Sequence, residues 1–361
     1  MERVVVGMSG GVDSSVAAYL LKEAGYEVIG VTMQIWQQED MFSKEENGGC
    51  CGLSAVEDAR RVAEKLEIPH YVMNFRTEFQ SKVIDYFATE YYAGRTPNPC
   101  IACNRFVKWE SLLERSLSIG ADFIATGHYA RIQKLPNQRY TLQTSITAKK
   151  DQTYALYNLT QEQLKRTKMP VGDYTKEEIR EIAKKLELPV AKKPDSQEIC
   201  FVPDHDYASF LESYTKKKAE AGNFVDQNNK VLGKHKGVIH YTVGQRKGLG
   251  LALGYPTFVV ELRPDTKEVV LGTNEELFER HLICNNLNHM AVETFLPGQE
   301  FLAKIRYNHS GAPCKILEVG NDWLRLEFLE PQRAITPGQA VVFYEGDYVA
   351  GGGTILSPKK G

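Results

Sequence analysis

The chain has 361 residues, 44 Lys and Arg against 46 Asp and Glu, a formal net charge of −2, 42% hydrophobic and 25% charged residues. This composition excludes a disordered chain, supports two to three domains, and supplies no global positive field to gather nucleic acid, so any RNA contact has to come from local patches. Seven cysteines are too few for a disulfide scaffold at this length, and their odd number leaves at least one unpaired within the chain. Met1 to Gly7 shows no signal-peptide pattern, and no apolar run approaches the ~20 residues that span a bilayer. The expectation is a reduced, cytoplasmic setting without a membrane partner.

In chain order, Val4 to Val6 reads as a buried strand, followed by a Gly/Ser turn and an apolar-periodic helix from Val16 to Ala24 that stops at Gly25. Val28 to Ile35 is a second strand, Gln37 to Cys51 a polar loop, Ala55 to Leu66 a helix, and Tyr71 to Asn74 a third strand. Phe79 to Tyr92 is helical, and Phe123 to Ala125 is a fourth strand running into Thr126-Gly127-His128. This alternation predicts a doubly wound parallel sheet covered by helices. Lys149 to Glu198 is mainly helical, with a capping box at Thr175 to Glu178. Beyond Phe201 the pattern turns to strands, with a hairpin of Thr257–Leu262 and Glu268–Leu271 about Pro264-Asp265. Short strands at Phe301–Tyr307, Lys315–Val319, Trp323–Phe328 and Ala340–Tyr344 predict a small antiparallel β-barrel. Expected boundaries give a domain of residues 1–200, a small central domain of 201–280 and a C-terminal barrel of 281–361.

Gly7-Met8-Ser9-Gly10-Gly11-Val12-Asp13-Ser14-Ser15 lies at the first strand-to-helix turn, where backbone N–H groups and the helix dipole suit phosphate oxygens. It is neither a Walker A loop, having no Lys, nor a dinucleotide fingerprint, having the wrong Gly spacing. The string resembles the Ser-Gly-Gly-x-Asp-Ser loop of the N-type ATP pyrophosphatases, which adenylate a carbonyl oxygen and then displace AMP with a nucleophile. That resemblance implies ATP with Mg²⁺ as cofactors. Asp13 would help to hold Mg²⁺ against the β,γ-phosphates, a task a carboxylate cannot perform alone against like charge. Met33 and Gly127, at the carboxyl ends of two strands, would approach the nucleotide, although Met33 also reads as plain core.

Cys100, Cys103 and Cys200 lie in polar, turn-rich strings, whereas Cys284 and Cys314 have apolar neighbours and read as packed. Sulfur chemistry needs two thiols, one to carry a sulfane sulfur and one to attack it. Further strings occur in order: Gly94-Arg95-Thr96-Pro97-Asn98-Pro99 followed by Cys103-Asn104; Ala125-Thr126-Gly127-His128-Tyr129-Ala130; Lys150-Asp151-Gln152-Thr153-Tyr154; Asp195-Ser196-Gln197-Glu198-Ile199-Cys200-Phe201; and Tyr241 to Gly250. Together they resemble the tRNA-specific 2-thiouridylases, ATP-dependent enzymes that put sulfur on C2 of the wobble uridine. The resemblance implies that Cys200 carries a persulfide loaded by a relay protein fed by a cysteine desulfurase. It implies that Cys103 attacks that persulfide, leaving a transient Cys103–Cys200 disulfide. It also implies that His128, Lys150, Asp151, Gln152, Arg306, Tyr307 and Gln339 lie against the tRNA anticodon arm.

Many members of that family carry Asp where this chain has Cys100. The resulting Cys-x-x-Cys leaves open a zinc or iron–sulfur site completed by Cys200 or by Cys50 and Cys51, the weaker reading. Lys149, Lys216–Lys218, His235-Lys236 and Arg246-Lys247 are further basic candidates, with Lys216–Lys218 reading mainly as a solvated face. Arg306-Tyr307 falls in an expected strand, so one of the pair would point into the barrel. The alternative function is a pyrophosphate-loop ligase using an amine nucleophile, which would need no thiol pair.

Overall fold

The computed structural model describes residues 1–35, 53–194, 199–202 and 206–357. They form two compact units: residues 1–84, 99–203 and 347–349 in one, and 85–98, 204–346 and 350–361 in the other.

The first unit is built on β1 (Arg3–Gly7), β2 (Glu27–Gln34), β3 (His70–Asn74), β4 (Phe123–Ala125) and β7 (Thr167–Lys168), parallel in the order β3-β2-β1-β4-β7. Val4, Val5 and Val6 are fully buried because β1 is central and covered on both faces. Helix α1 (Val12–Glu23) packs Val12, Val16 and Leu21 into the same core as Val62 of α2 (Leu53–Lys65) and Leu66 just beyond it. Gly25 follows α1 at φ +85°, where a side chain would be strained. The helix Lys176–Lys185 adds Ile179 and Ala183, and its Thr175–Glu178 capping box is formed as read from sequence. A hairpin of β5 (Ala130–Lys134) and β6 (Tyr140–Thr144), which sequence reasoning did not anticipate, follows the carboxyl end of β4.

The order reverses between β1 and β4, so the crevice beyond their carboxyl ends is the place where a doubly wound sheet takes its ligand.

In the second unit, β8 (Gly222–Val225), β9 (Val231–His235), β10 (Phe258–Arg263) and β11 (Glu268–Gly272) form a mixed sheet in the order β10-β11-β8-β9. The β10–β11 hairpin is the one expected. His235 is buried under Phe224 and Tyr241, accepts from the Gly237 N–H and lies 3.1 Å from the Lys267 carbonyl, so it belongs to this core. The barrel comprises β12 (Phe278–His289), β13 (Glu300–Lys304), β14 (Ala312–Val319), β15 (Trp323–Arg333), β16 (Ala340–Glu345) and β17 (Tyr348–Ser357). Its order is β12-β15-β14-β13-β16-β17, and β12 pairs with β17 to close it. Alternation puts Cys314 and Ile316 of β14, and Leu324, Leu326 and Phe328 of β15, inside.

Strand β13 ends at Lys304, so Arg306 and Tyr307 stand in the turn beyond it, both exposed. The expectation that one of them faces the barrel interior is therefore corrected.

Candidate active site

The phosphate loop forms where expected, and the backbone explains its composition. Gly10 has φ +65° and runs so close to α2 that a Cβ would lie 2.4 Å from the Ala55 carbonyl oxygen. Gly127 backs onto the first turn of α1, where a Cβ would lie 2.5 Å from the Ser14 nitrogen. Gly11 caps α1 from an extended conformation, so the helix's first N–H groups, which have no carbonyl behind them, open toward the crevice. Ser14 and Ser15 are buried and donate to the Gly11 carbonyl at 3.3 and 2.8 Å, while Ser14 Oγ also accepts from the Ser9 N–H. These hydroxyls shape the loop. Met8 is buried; Met33, one residue before the end of β2, is half-buried.

Asp13 is held by two residues that sequence reasoning missed. Tyr129 donates its hydroxyl to Oδ1 at 2.8 Å, and Lys176 Nζ reaches Oδ1 at 2.7 Å and Oδ2 at 2.9 Å. Lys176 opens its helix directly after the Thr175 cap, which fixes its direction. A second lysine, Lys193, donates to the Gly10 carbonyl at 3.1 Å and to Asp58 at 2.8 Å.

Cys103 begins a π-helical stretch, Cys103–Leu112, that follows the short helix Pro99–Ala102. Its neighbour Asn104 is buried, donates to the Ala155 carbonyl at 2.9 Å and accepts from Lys108 Nζ at 2.8 Å. Lys108 Nζ also lies 3.4 Å from His128 Nε2. An ammonium only donates, so Nε2 accepts, and Nδ1–H donates to Thr126 Oγ1 at 2.7 Å. Desolvation, then the Lys108 charge, hold the His128 pKa well below its ordinary 6.5, and the ring is neutral. Asn104, Lys108, His128 and Thr126 thus join the Cys103 helix to the end of β4. The spacing Asn104/Lys108, four residues apart in a helix, was the only local signal for this network.

Cys200 is half-exposed in the turn 199–202, and the two residues that follow it, Phe201 and Val202, are buried. Phe201 packs edge-on against Phe79, whose helix packs against the one beginning at Cys103. Cys103 is half-exposed and Cys100 exposed. Among the described residues no group of three or more His, Cys, Asp or Glu is placed to hold a metal, and Cys50 and Cys51 lie outside the described residues.

Of the residues expected at tRNA, Asp151 accepts from the Ser145 N–H and Thr153 hydroxyl, and Gln152 accepts from the Tyr129 N–H; both hold the β5–β6 region in shape. Lys150 is half-buried beside them. Arg306, Tyr307 and Gln339 belong to the second unit. There Gln339 donates to the Thr96 carbonyl at 2.7 Å and the Thr96 N–H donates to the Pro337 carbonyl at 2.9 Å, which ties the Arg95-Thr96-Pro97-Asn98 string to the barrel.

A phosphate-binding loop at the switch point of a parallel sheet, with partly exposed cysteines in the same unit, defines an α/β pyrophosphate-loop protein followed by a β-barrel region. Family models match residues 2–204 (tRNA methyl transferase HUP domain), 208–273 (tRNA methyl transferase PRC-barrel domain) and 279–355 (Aminomethyltransferase beta-barrel domain). The chain is 70% identical to the tRNA-specific 2-thiouridylase MnmA of Lachnoclostridium phytofermentans over 99% of this chain and 100% of that protein. It is 56% identical to the protein of the same name from Clostridioides difficile over 98% of each chain. The MnmA of Clostridium kluyveri is 55% identical over 99% of each. The chain belongs to the family of tRNA-specific 2-thiouridylases.

Proposed function

We propose that the chain is an ATP-dependent tRNA sulfurtransferase that converts the wobble uridine to 2-thiouridine. The full-length identity to 2-thiouridylases carries this reading, and it outweighs the methyl-transfer wording of the domain descriptions because it spans all three regions at once. In the first step the C2 oxygen attacks the α-phosphate of ATP, releasing pyrophosphate and leaving an adenylated base. The loop from Gly7 to Ser15 cradles the phosphates, and Met33 and Gly127 border the nucleotide. Asp13 offers one hard carboxylate, which fits Mg²⁺, an ion that keeps several waters and is shared with substrate phosphates. Bound there, Mg²⁺ would neutralise charge on the β,γ-phosphates.

In the second step Cys200 carries a terminal sulfane sulfur as a persulfide. The Cys103 thiolate attacks the Cys200 sulfur, forming a Cys103–Cys200 disulfide and expelling hydrosulfide. Hydrosulfide displaces AMP from C2, and an external thiol reduces the disulfide before the next turnover. The neutral His128 ring, its Nδ1 held by Thr126 and its Nε2 by Lys108, would lie near the base as a fixed surface that carries no charge of its own. A base must leave its stack to reach such a site, which favours a single-stranded loop.

The reading divides the work among residues 1–200 for catalysis, 201–280 for tRNA contact and 281–361 for the barrel, in the cytoplasm, with a persulfide relay protein as donor. Lys150, Asp151, Gln152, Arg306, Tyr307 and Gln339 would meet the tRNA. The test is the purified protein with ATP, Mg²⁺, a persulfide donor and unmodified tRNA. Nucleoside mass spectrometry should detect 2-thiouridine only when ATP is present; its absence in the complete reaction refutes the reading.

A further inference from the structure

The reaction above uses Cys103 and leaves Cys100, three residues before it, without a part. The helix Pro99–Ala102 runs into Cys103–Leu112 without a break, because Ala102 at the junction keeps helical dihedrals, φ −62° and ψ −45°. Cys100 and Cys103 therefore share one helical turn and one face. Such a turn sets Cα atoms three residues apart at about 5 Å, inside the roughly 4.4–6.8 Å that disulfides span. Pro99 and Ala102 are buried and Asn104 donates to the Ala155 carbonyl, so the turn that carries both thiols is fixed. Exposure grades the three sulfurs: Cys100 is exposed, whereas Cys103 and Cys200 are half-exposed. Cys100 fills no core, so packing does not explain a thiol at this position.

We propose that Cys100 is a further catalytic thiol, one that resolves the Cys103–Cys200 disulfide after each transfer. Its thiolate attacks Cys103 Sγ. The Cys100–Cys103 bond forms, the Cys103–Cys200 bond breaks, and Cys200 leaves as a thiolate ready to be loaded again. This exchange gains and loses no electrons. An external dithiol then reduces the Cys100–Cys103 bond, giving up two electrons and two protons and closing its own disulfide. Attack within one helical turn is unimolecular and awaits no collision. The exchange also moves the oxidised bond from two half-exposed sulfurs to a pair whose outer member stands in solvent, where a reductant has access. This role rests on the sulfur-transfer reading above and deepens it.

The experiment follows one turnover. Full-length protein is loaded with persulfide by a cysteine desulfurase and cysteine, then desalted. It is mixed with ATP, Mg²⁺ and unmodified tRNA without reductant and quenched with N-ethylmaleimide. Trypsin releases Cys100 and Cys103 in a single peptide, residues 96–105, because Arg95 and Arg105 bracket them. In the wild type this peptide should be lighter than its dithiol form by two hydrogens, and Cys200 should carry maleimide. In Cys100→Ser it should instead be cross-linked to the Cys200 peptide, and at low dithiol the variant should stall after a single product per chain. A wild type that keeps the Cys103–Cys200 cross-link while forming 2-thiouridine overturns the proposal and leaves sulfur transfer standing. Iron or zinc at one per chain, lost in Cys100→Ser, would make Cys100 a metal ligand and also overturn it.

A glutathione redox titration of the same protein without tRNA tests the pair independently of transfer. Peptide 96–105 should close on itself before Cys200 joins any disulfide. Glutathione on Cys100 beside a reduced Cys103 would overturn the proposal. A titration that behaves as expected in a protein forming no 2-thiouridine would refute sulfur transfer, and the resolving role would fall with it.

Discussion

In the barrel, Cys284 and Cys314 face inward from β12 and β14 among Leu324, Leu326 and Phe328, and both are buried. In the first unit, Cys103 and Cys200 sit at a helix start and in a turn, each half-exposed, on segments whose neighbouring residues are anchored by Asn104 and Phe201. Desolvation pushes the Cys314 thiol up to about 12 and raises that of Cys284 further, so neither forms a thiolate at neutral pH. Burial thus keeps one pair from ionising, while the other pair stays partly exposed. The difference teaches that a cysteine count says little about redox chemistry until each sulfur's access to water is known.

The comparison breaks most visibly at the first-unit pair. Cys103→Ser or Cys200→Ser should each abolish 2-thiouridine formation in the reconstituted reaction while ATP still binds. Thiolation at the wild-type rate in either variant would mean that the exposed pair is not the working one. Next in size is the link that carries the Arg95 to Asn98 string. Gln339→Ala removes the hydrogen bond to the Thr96 carbonyl and should lower kcat/KM for tRNA about fivefold, the worth of one such bond, with ATP affinity unchanged. An equal effect on ATP binding would show that the string does not act through tRNA.

The barrel pair should affect stability rather than turnover. Cys314→Ala should leave thiolation unchanged and destabilise by about 1 kcal/mol through lost packing, read from the denaturant midpoint. The sign of its pH dependence follows from the raised pKa. The unfolded chain releases thiol protons near pH 8.5 and the folded barrel keeps them, so stability is fully present below that pH and declines as pH rises toward 12. Cys314→Ala should flatten the decline. The smallest effect sharpens the contrast directly: brief iodoacetamide treatment of the folded protein at neutral pH should label Cys103 and Cys200 and spare Cys284 and Cys314. Labelled barrel cysteines, located by peptide mass spectrometry, would remove the distinction.

Much of the first unit was legible because its signals are local. The Val4–Val6 run, the glycine–serine turn and the Thr175 capping box each place their determinants within a few residues. The barrel was legible as a class from its short alternating strands, but its long β12 and β17 were not, since their mixed burial patterns blur the alternation. The two-residue β7 is a strand only because β4 lies beside it. The segment from Phe79 to Tyr92 reads as one helix, yet its backbone passes from the first unit to the second after Ile84, a division set by what each half packs against.

By itself, then, the sequence determined the phosphate loop, the order of strand and helix, the inward cysteines of the barrel and the strings that place the chain in its family, because contiguous residues decide backbone geometry and local burial. Tertiary structure alone decided which cation meets Asp13, how Lys108 fixes His128, and that Gln339 ties Thr96 to the barrel. Lys176 and Asp13 stand 163 residues apart, and Gln339 and Thr96 stand 243 apart. Such pairings follow from the folded arrangement of strands and helices, since no periodicity along the chain encodes which distant polar side chains will share one small volume.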